Sequence, residues 1–140
     1  ILNRELMTFG LKAVCHVKSN AIVIVRETEG GSFQLLGMGA GQPNRLTSVS
    51  LAVEKCRMNL RAEYSGQKGG LEMYIRDQLS RSILISEAFF PFADSIDLCA
   101  EYGIKNILEP GGSMRDQEVI DAANRHHMVM IFTGLRHFKH

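Results

Sequence analysis

Residues 83–132, ILISEAFFPFADSIDLCAEYGIKNILEPGGSMRDQEVIDAANRHHMVMIF, decide the fold class. Three short apolar runs in this stretch have the length and composition of buried strands, and helical spacing follows the first two. The runs are residues 83–85, 106–108 and 128–132. Gly103 would end the first helix, and Asp116 and Glu118 suit the positive end of the second. The pattern predicts strand, helix, strand, helix, strand.

Right-handed crossovers would make these three strands neighbours in one parallel sheet, with their carboxyl ends at the same edge. Three loops follow those ends: residues 86–90, 110–113 and 133–136. In open α/β sheets, ligands bind at this edge. We therefore expect a ligand site where the three loops meet.

The preceding half of the chain predicts a hairpin and a helix. Residues 21–25 are a β-branched run, residues 29–32 carry turn formers, and residues 33–38 are again largely apolar. Residues 46–60 have apolar side chains at steps of three or four, which predicts a helix with one buried face. Residues 62–81 are more polar and weakly periodic, and we interpret them as an excursion from a single domain that spans residues 1–140.

Composition favours a soluble globular domain: the 140 residues include 45% hydrophobic and 22% charged side chains. Sixteen Lys and Arg against 15 Asp and Glu give a net charge of +1, so neither nucleic acid nor a membrane is expected as a partner. The sequence has no run of the ~18 apolar residues that a membrane span needs, and no signal pattern at its start. Three cysteines without a C-x-x-C pattern favour a cytoplasmic location. Because the first residue is Ile1 rather than Met, we expect a fragment or a processed product.

Two of the loops carry residue types that suit a ligand. The glycine turn, residues 111–113, could present free N–H groups to a phosphate or carboxylate, although an ordinary turn has the same composition. Phe89, Phe90 and Phe92 could stack on a flat heterocycle, and core packing of at least one of them is the simpler alternative.

Two arginines and an asparagine are further candidates. Arg45 precedes the predicted helix and Arg136 follows the last strand, so either guanidinium could form forked hydrogen bonds with an anion. A solvated arginine is the commoner outcome. Asn20 has the donor and the acceptor needed to read a carboxamide or a purine-like edge, and a role in strand entry is equally compatible with its position.

Neither a metal centre nor a cysteine nucleophile is indicated. The five histidines form no H-x-x-x-H pair and no H-x-E pattern with cysteines. Cys56 and Cys99 share helix faces with aliphatic residues, so we expect both to be buried packing residues.

Five segments together resemble one enzyme family. They are residues 17–23 (VKSNAIV), 37–42 (GMGAGQ), 86–92 (SEAFFPF), 109–116 (EPGGSMRD) and 136–140 (RHFKH). The family is the purine-biosynthesis bienzyme that combines AICAR transformylase with IMP cyclohydrolase. The resemblance runs from about residue 11 to residue 140 in unbroken motif order, and it is to the C-terminal part of the transformylase region.

The resemblance implies a three-layer α/β domain of the cytidine-deaminase-like type, with helices on both faces of a mixed sheet and without zinc. It implies formyl transfer from 10-formyltetrahydrofolate, as co-substrate, to the 5-amino group of AICAR. The matched motifs assign contacts with the AICAR nucleotide to Asn20, Arg45, Phe89 and Arg136. They assign contacts with the folate to Leu46, Asp94, Ser113 and Met114.

The departures from the family pattern concern catalysis. The family carries its catalytic Lys and His in a Lys-His-x-Asn-Pro-Cys-Gly motif of the first half, and residues 1–140 contain no such string. We therefore assign no catalytic residue here, and expect little activity unless another polypeptide supplies the first half. Glu87 stands where Asp is usual, and Ala93 where Arg is usual, which would alter the folate side.

Two non-catalytic alternatives stay open beside the formyltransferase interpretation. One is a module that binds a nucleotide or folate without catalysis. The other is a structural partner domain, which predicts an exposed apolar face and self-association. We also expect the chain to form a homo-oligomer.

Overall fold

A five-stranded sheet is the framework of the computed structural model, which describes residues 3–134. The elements in chain order are α1 Arg4–Val14, β1 Ile22–Glu27, β2 Phe33–Gly39, α2 Arg45–Glu63, α3 Leu71–Arg81, β3 Ile83–Ser86, α4 Asp94–Tyr102, β4 Asn106–Glu109, α5 Asp116–Arg125 and β5 Val129–Phe132. The strands are ordered β2-β1-β3-β4-β5 across the sheet. No helix within residues 3–134 is long and apolar enough to cross a bilayer.

β1 and β2 form the predicted antiparallel hairpin. Their register runs from Ile22 opposite Gly39 to Glu27 opposite Phe33, with an irregularity after Ile24. β1 also pairs antiparallel with β3. As a result, β2 and β3 point in the same direction on either side of β1.

β3, β4 and β5 are parallel neighbours, which confirms the prediction from the second half of the sequence. Leu84 lies opposite Ile107, and Ile107 lies opposite Met130. α4 and α5 connect these strands. Because the strands follow one another across the sheet in a single direction, right-handed crossovers place both helices on the same face.

Hydrophobic cores lie on both faces of the sheet. Ile22 and Ile24 point into the core that α2, α3, α4 and α5 cover. Val23 and Val25 point into a smaller core on the opposite face, where α1 contributes Leu6. This alternation follows from the two-residue period of a strand. The α/β class, with a mixed sheet between helical layers, is therefore confirmed.

Residues 62–81 are not an irregular excursion, and that prediction is wrong. α2 continues to Glu63, and α3 occupies Leu71–Arg81. Within α3 the buried residues are Ile75 and Leu79. Leu71 and Tyr74 are partly buried and pack against the same core, so apolar side chains of α3 do recur at steps of three and four. The polar residues 65–70 that precede the helix diluted this period over residues 62–81.

α1 has no counterpart among the predicted elements. Asn3 caps its start, with Oδ1 accepting hydrogen bonds from Glu5 N–H and Leu6 N–H at 2.9 and 3.2 Å. Leu6, Gly10 and Val14 are its buried residues. A capping Asn followed by small or apolar residues at steps of four is the signal that would have predicted this helix.

Candidate functional site

One edge of the sheet collects the loops of the candidate site. The carboxyl ends of β2, β3, β4 and β5 lie at this edge, and the amino end of β1 joins them because β1 runs against its neighbours. We call it the carboxyl edge. The loops and helix starts at this edge carry seven of the eight predicted site residues: Asn20, Arg45, Leu46, Phe89, Asp94, Ser113 and Met114.

Arg45 and Glu87 form a buried ion pair at the carboxyl edge. Arg45 is the first residue of α2, and its Nη1 lies 2.9 Å from Glu87 Oε1. Ala21 N–H donates to the same carboxylate oxygen at 3.2 Å. The two side chains are 9% and 0% exposed, so Arg45 is not the solvated arginine that its sequence position also allowed. The fully buried Glu87 carboxylate thus holds the Arg45 guanidinium from the core side.

Asn20 is held between the end of the hairpin and the start of α2. Its Nδ2 donates to Gln42 O at 2.8 Å, and Ser48 Oγ donates to Asn20 O at 2.6 Å. The Ser19–Asn20 peptide bond is cis. These contacts place Asn20 beside the first turn of α2, the turn that also contains Arg45.

Glu109 is the site residue that the sequence reasoning did not single out. It is the last residue of β4, is 1% exposed, and accepts the Phe90 N–H at Oε2 over 3.1 Å. Burial raises its pKa to about 7, with the negative charge of Asp116 adding to the rise and Arg45 opposing it. An acidic residue at the end of a buried strand, directly before Pro110, was the available signal.

The glycine turn does not present free donors. Gly112 N–H and Ser113 N–H donate to the two carboxylate oxygens of Asp116 at 2.8 and 3.0 Å. The Asp116 side chain folds back over the turn and satisfies these two groups. Of the two alternatives for the turn, the ordinary turn therefore applies to Gly112 and Ser113, whose N–H groups are not free for a phosphate or carboxylate. Ser113 Oγ accepts the Arg115 N–H at 3.1 Å.

The three aromatic residues of the 86–92 segment divide between core and surface. Phe90 is fully buried, which confirms that at least one of them is a core residue. Phe89 is half-buried, and Phe92 is exposed with the Arg115 guanidinium 5.1 Å from its ring centroid. Phe89 and Phe92 therefore remain within reach of a ligand at the carboxyl edge.

The residues predicted for the folate are mostly at the surface. Leu46, Asp94 and Met114 are exposed, whereas Ser113 is half-buried. Asp94 is the first residue of α4, and its Oδ1 accepts the Ser95 N–H at 2.8 Å. Arg136, predicted for the nucleotide, lies outside the described residues. The contacts of all these residues with ligands stay predictions.

Three buried polar atoms at the carboxyl edge lack a hydrogen-bond partner within residues 3–134. They are Arg45 Nε, Glu87 Oε2 and Glu109 Oε1. Buried polar atoms are nearly always satisfied in native proteins by protein, water or ligand. Their clustering indicates that further polar groups belong at this edge.

A cleft of about 870 Å³ lies at the opposite edge, where Arg26 is its buried charged residue. That guanidinium is already bonded to Glu63, Gln34 and Gln78. The buried charge of Arg26 is therefore neutralised by Glu63 within the chain. At the carboxyl edge, in contrast, buried polar atoms lack partners, and a ligand could supply them. We therefore place the candidate site at the carboxyl edge.

The cysteines offer no nucleophile in the core. Burial raises the pKa of both Cys56 and Cys99 to about 12, so each remains a thiol at neutral pH. Both are fully buried, as predicted. Within residues 3–134, no group of three or more His, Cys, Asp or Glu is placed to hold a metal ion.

Known proteins match the chain over most of its length. The family model described as AICARFT/IMPCHase bienzyme matches residues 3–55. The bifunctional purine biosynthesis proteins PurH of Streptococcus agalactiae (serotype III, strain NEM316) and Streptococcus pyogenes (serotype M3, strain ATCC BAA-595 / MGAS315) are 46% and 45% identical to it over 134 residues, or 96% of this chain. The chain belongs to the AICARFT/IMPCHase bienzyme family. It spans 21% of the length of these two relatives. Membership of the AICARFT/IMPCHase family associates the chain with purine biosynthesis.

Proposed function

We propose that this chain supplies part of the substrate-binding site of an AICAR formyltransferase, which transfers the formyl group of 10-formyltetrahydrofolate to AICAR. The observation that carries the proposal is the convergence of Asn20, Arg45, Phe89 and Ser113 on the carboxyl edge, in a member of this family. Glu87 orients the Arg45 guanidinium from the protein side, which suits the recognition of a charged or carboxamide group from the open side.

The two ligands would occupy neighbouring parts of the edge. In this proposal Asn20, Arg45, Phe89 and Arg136 contact the nucleotide. Leu46, Asp94, Ser113 and Met114 contact the folate. Leu46 directly follows Arg45 in α2, so the two ligands would meet at the start of that helix.

Proton transfer is the step for which residues 1–140 provide no candidate pair. The aromatic amine of AICAR is a weak nucleophile, so it must lose a proton as it attacks the formyl carbon, and the oxyanion needs a fixed donor. A placed acid or base contributes roughly 100-fold or more to such a step. We therefore propose that a polypeptide with the family's first half supplies the catalytic Lys and His.

A second candidate function is a non-catalytic partner domain. β5 is one of the two outer strands of the sheet, and Val129 and Phe132 on it are 47% and 37% exposed. Exposed apolar side chains on an edge strand favour contact with another chain. This candidate predicts self-association without binding of AICAR monophosphate.

A formyl-transfer assay tests the proposal. The chain is assayed alone and mixed with a polypeptide that carries the family's first half, and binding of AICAR monophosphate is followed by the rise in melting temperature. We expect AICAR monophosphate to raise the melting temperature of the chain. We expect turnover only in the mixture. Full turnover by the single chain would contradict the assignment of proton transfer to the other half. The absence of both stabilisation and turnover would reject the formyltransferase proposal in favour of the partner domain.

A further inference from the structure

Glu109 joins three loops of the carboxyl edge. Its carboxyl group accepts the Phe90 N–H, at 3.1 Å from Oε2, and the backbone of Gly111, two residues further along the chain, favours the ionised form of this carboxyl group. Its backbone oxygen accepts the Thr133 N–H at 2.8 Å. The loops after β3, β4 and β5 are thus fastened to one residue, which is 1% exposed.

We propose that Glu109 is a positioning residue that sets the spacing between the aromatic segment at Phe89 and the glycine turn at Ser113. This inference rests on the proposed function, because the two loops are those to which we assign the nucleotide and the folate. Because Glu109 is 1% exposed, we assign it no direct contact with either ligand. It acts through the backbone of the two loops.

The charge of Glu109 makes this positioning dependent on pH. An ionised carboxylate accepts N–H groups more strongly than a neutral carboxyl does. The charged groups that face it are Arg45 on α2, which favours ionisation, and Asp116 at the start of α5, which opposes it together with burial. The two loops are therefore held more firmly as the pH rises through about 7.

The matched variants are Glu109→Gln, which keeps the shape and one acceptor without the charge, and Glu118→Gln, which removes an exposed carboxylate from the first turn of α5. The first measurement follows the Phe90 and Gly111 amide resonances of the whole chain between about pH 5.5 and 8.5. The second measures the Kd of AICAR monophosphate by calorimetry at both ends of that range.

For the unmodified chain and for Glu118→Gln we expect both amides to titrate together, and Kd to fall about fivefold from the acid to the alkaline end. For Glu109→Gln we expect amide resonances that do not titrate and a Kd that falls about fivefold less over the same range. The phosphate of the ligand itself ionises at about pH 6, and this contribution is common to all three proteins. A titration of the two amides that persists in Glu109→Gln would overturn the proposal, as would their insensitivity to pH in the unmodified chain. If AICAR monophosphate binds to none of the three proteins, the proposed function fails, and the amide titration still decides the role of Glu109.

Discussion

Arg45 Nη1 lies 2.9 Å from Glu87 Oε1, and this buried ion pair connects two parts of the fold that are 42 residues apart in sequence. Arg45 begins α2, and Glu87 directly follows β3. The pair therefore ties the hairpin and its helix to the parallel half of the sheet. Two buried charges cost solvation energy, so each depends on the other remaining in place.

Removing only the arginine should be strongly destabilising. Arg45→Met leaves the Glu87 carboxylate buried without its counter-charge, which costs about 3 to 5 kcal/mol. Adding Glu87→Gln removes the uncompensated charge and keeps an oxygen for the Ala21 N–H, so we expect the double variant to regain at least ~1 kcal/mol. Urea denaturation followed by circular dichroism measures both changes.

The exposed Arg115–Glu118 pair is the matched control for this prediction. Its side chains are 53% and 55% exposed, and exposed ion pairs contribute ~1 kcal/mol or less. Arg115→Met should therefore change the free energy of unfolding little. An equal loss in Arg45→Met and Arg115→Met would contradict the structural role of the buried pair.

Glu63 should stabilise the chain in a pH-dependent way. Both guanidinium Nη atoms of Arg26 donate to its carboxylate, at 3.0 and 2.5 Å, and this bond lowers the pKa of Glu63. A lowered pKa means that the stabilisation is complete above the ordinary carboxyl pKa and is lost as the pH falls below it. Glu63→Gln should cost about 2 kcal/mol at neutral pH, because Glu63 is partly exposed, and progressively less in acid.

Glu72→Gln is the control for Glu63, since Glu72 forms a more exposed bond with Arg57. Its effect should be ~1 kcal/mol or less at neutral pH. Urea midpoints between neutral pH and about pH 3 provide the comparison. A loss in Glu63→Gln that stays constant over that range would show that charge does not stabilise this contact.

The elements predicted from sequence are those with continuous or periodic apolar residues. β1, β3 and β4 have runs of buried side chains, whereas β5 is an apolar run without a fully buried residue. The period of α2 comes from one continuous buried face. α3 is no more polar than the chain as a whole, but the polar residues 65–70 directly before it concealed its period. Local pattern predicts an element only where its period stands out from the neighbouring residues.

The candidate site was predictable in location and less so in its contacts. The common edge of the parallel strands follows from topology, and it correctly brought the Phe89 and Ser113 loops together. The pairing of Arg45 with Glu87 depends on how α2 lies across the sheet, which no local pattern specifies. Likewise, the residue spacing did not show that Asp116 would occupy the N–H groups of the glycine turn.

Gly39 should not tolerate a larger side chain. A Cβ at this position would collide with the backbone oxygen of Ser48, because α2 crosses β2 at close range. Gly39→Ala would force the helix and strand apart, with an expected loss of about 1 to 3 kcal/mol and a lower melting temperature. Since Ser48 Oγ donates to Asn20 O, the displacement would also disturb the carboxyl edge.

Gly30→Ala is the control for the collision at Gly39. The nearest atom to a Cβ there is Thr28 Oγ1 at 3.9 Å, an ordinary van der Waals distance. We expect its melting temperature to stay close to that of the unmodified chain, because surface changes usually alter stability by less than ~0.5 kcal/mol. Similar changes in the two variants would contradict the assignment of close packing as the reason for glycine at Gly39.

Replacing Glu109 by Gln should change how stability depends on pH. Burial raises the pKa of Glu109 from 4.5 to about 7, so the folded chain retains a proton that the unfolded chain has already released. The stabilisation present below about pH 4.5 is therefore lost as the pH rises to about 7. Glu109→Gln cannot ionise, and its stability relative to the unmodified chain should increase across this window by at most ~3 kcal/mol.

Urea denaturation at several pH values measures this difference, and Glu118→Gln serves as the exposed carboxylate for comparison. Histidines and other groups titrate equally in all three proteins, so they cancel when each variant is compared with the unmodified chain. We expect the larger change with pH for Glu109→Gln, because Glu109 is the buried one of the two residues. If the difference for Glu109→Gln is flat between about pH 4.5 and 7, Glu109 is ionised throughout the range, and the nearby charge of Arg45 outweighs the effect of burial.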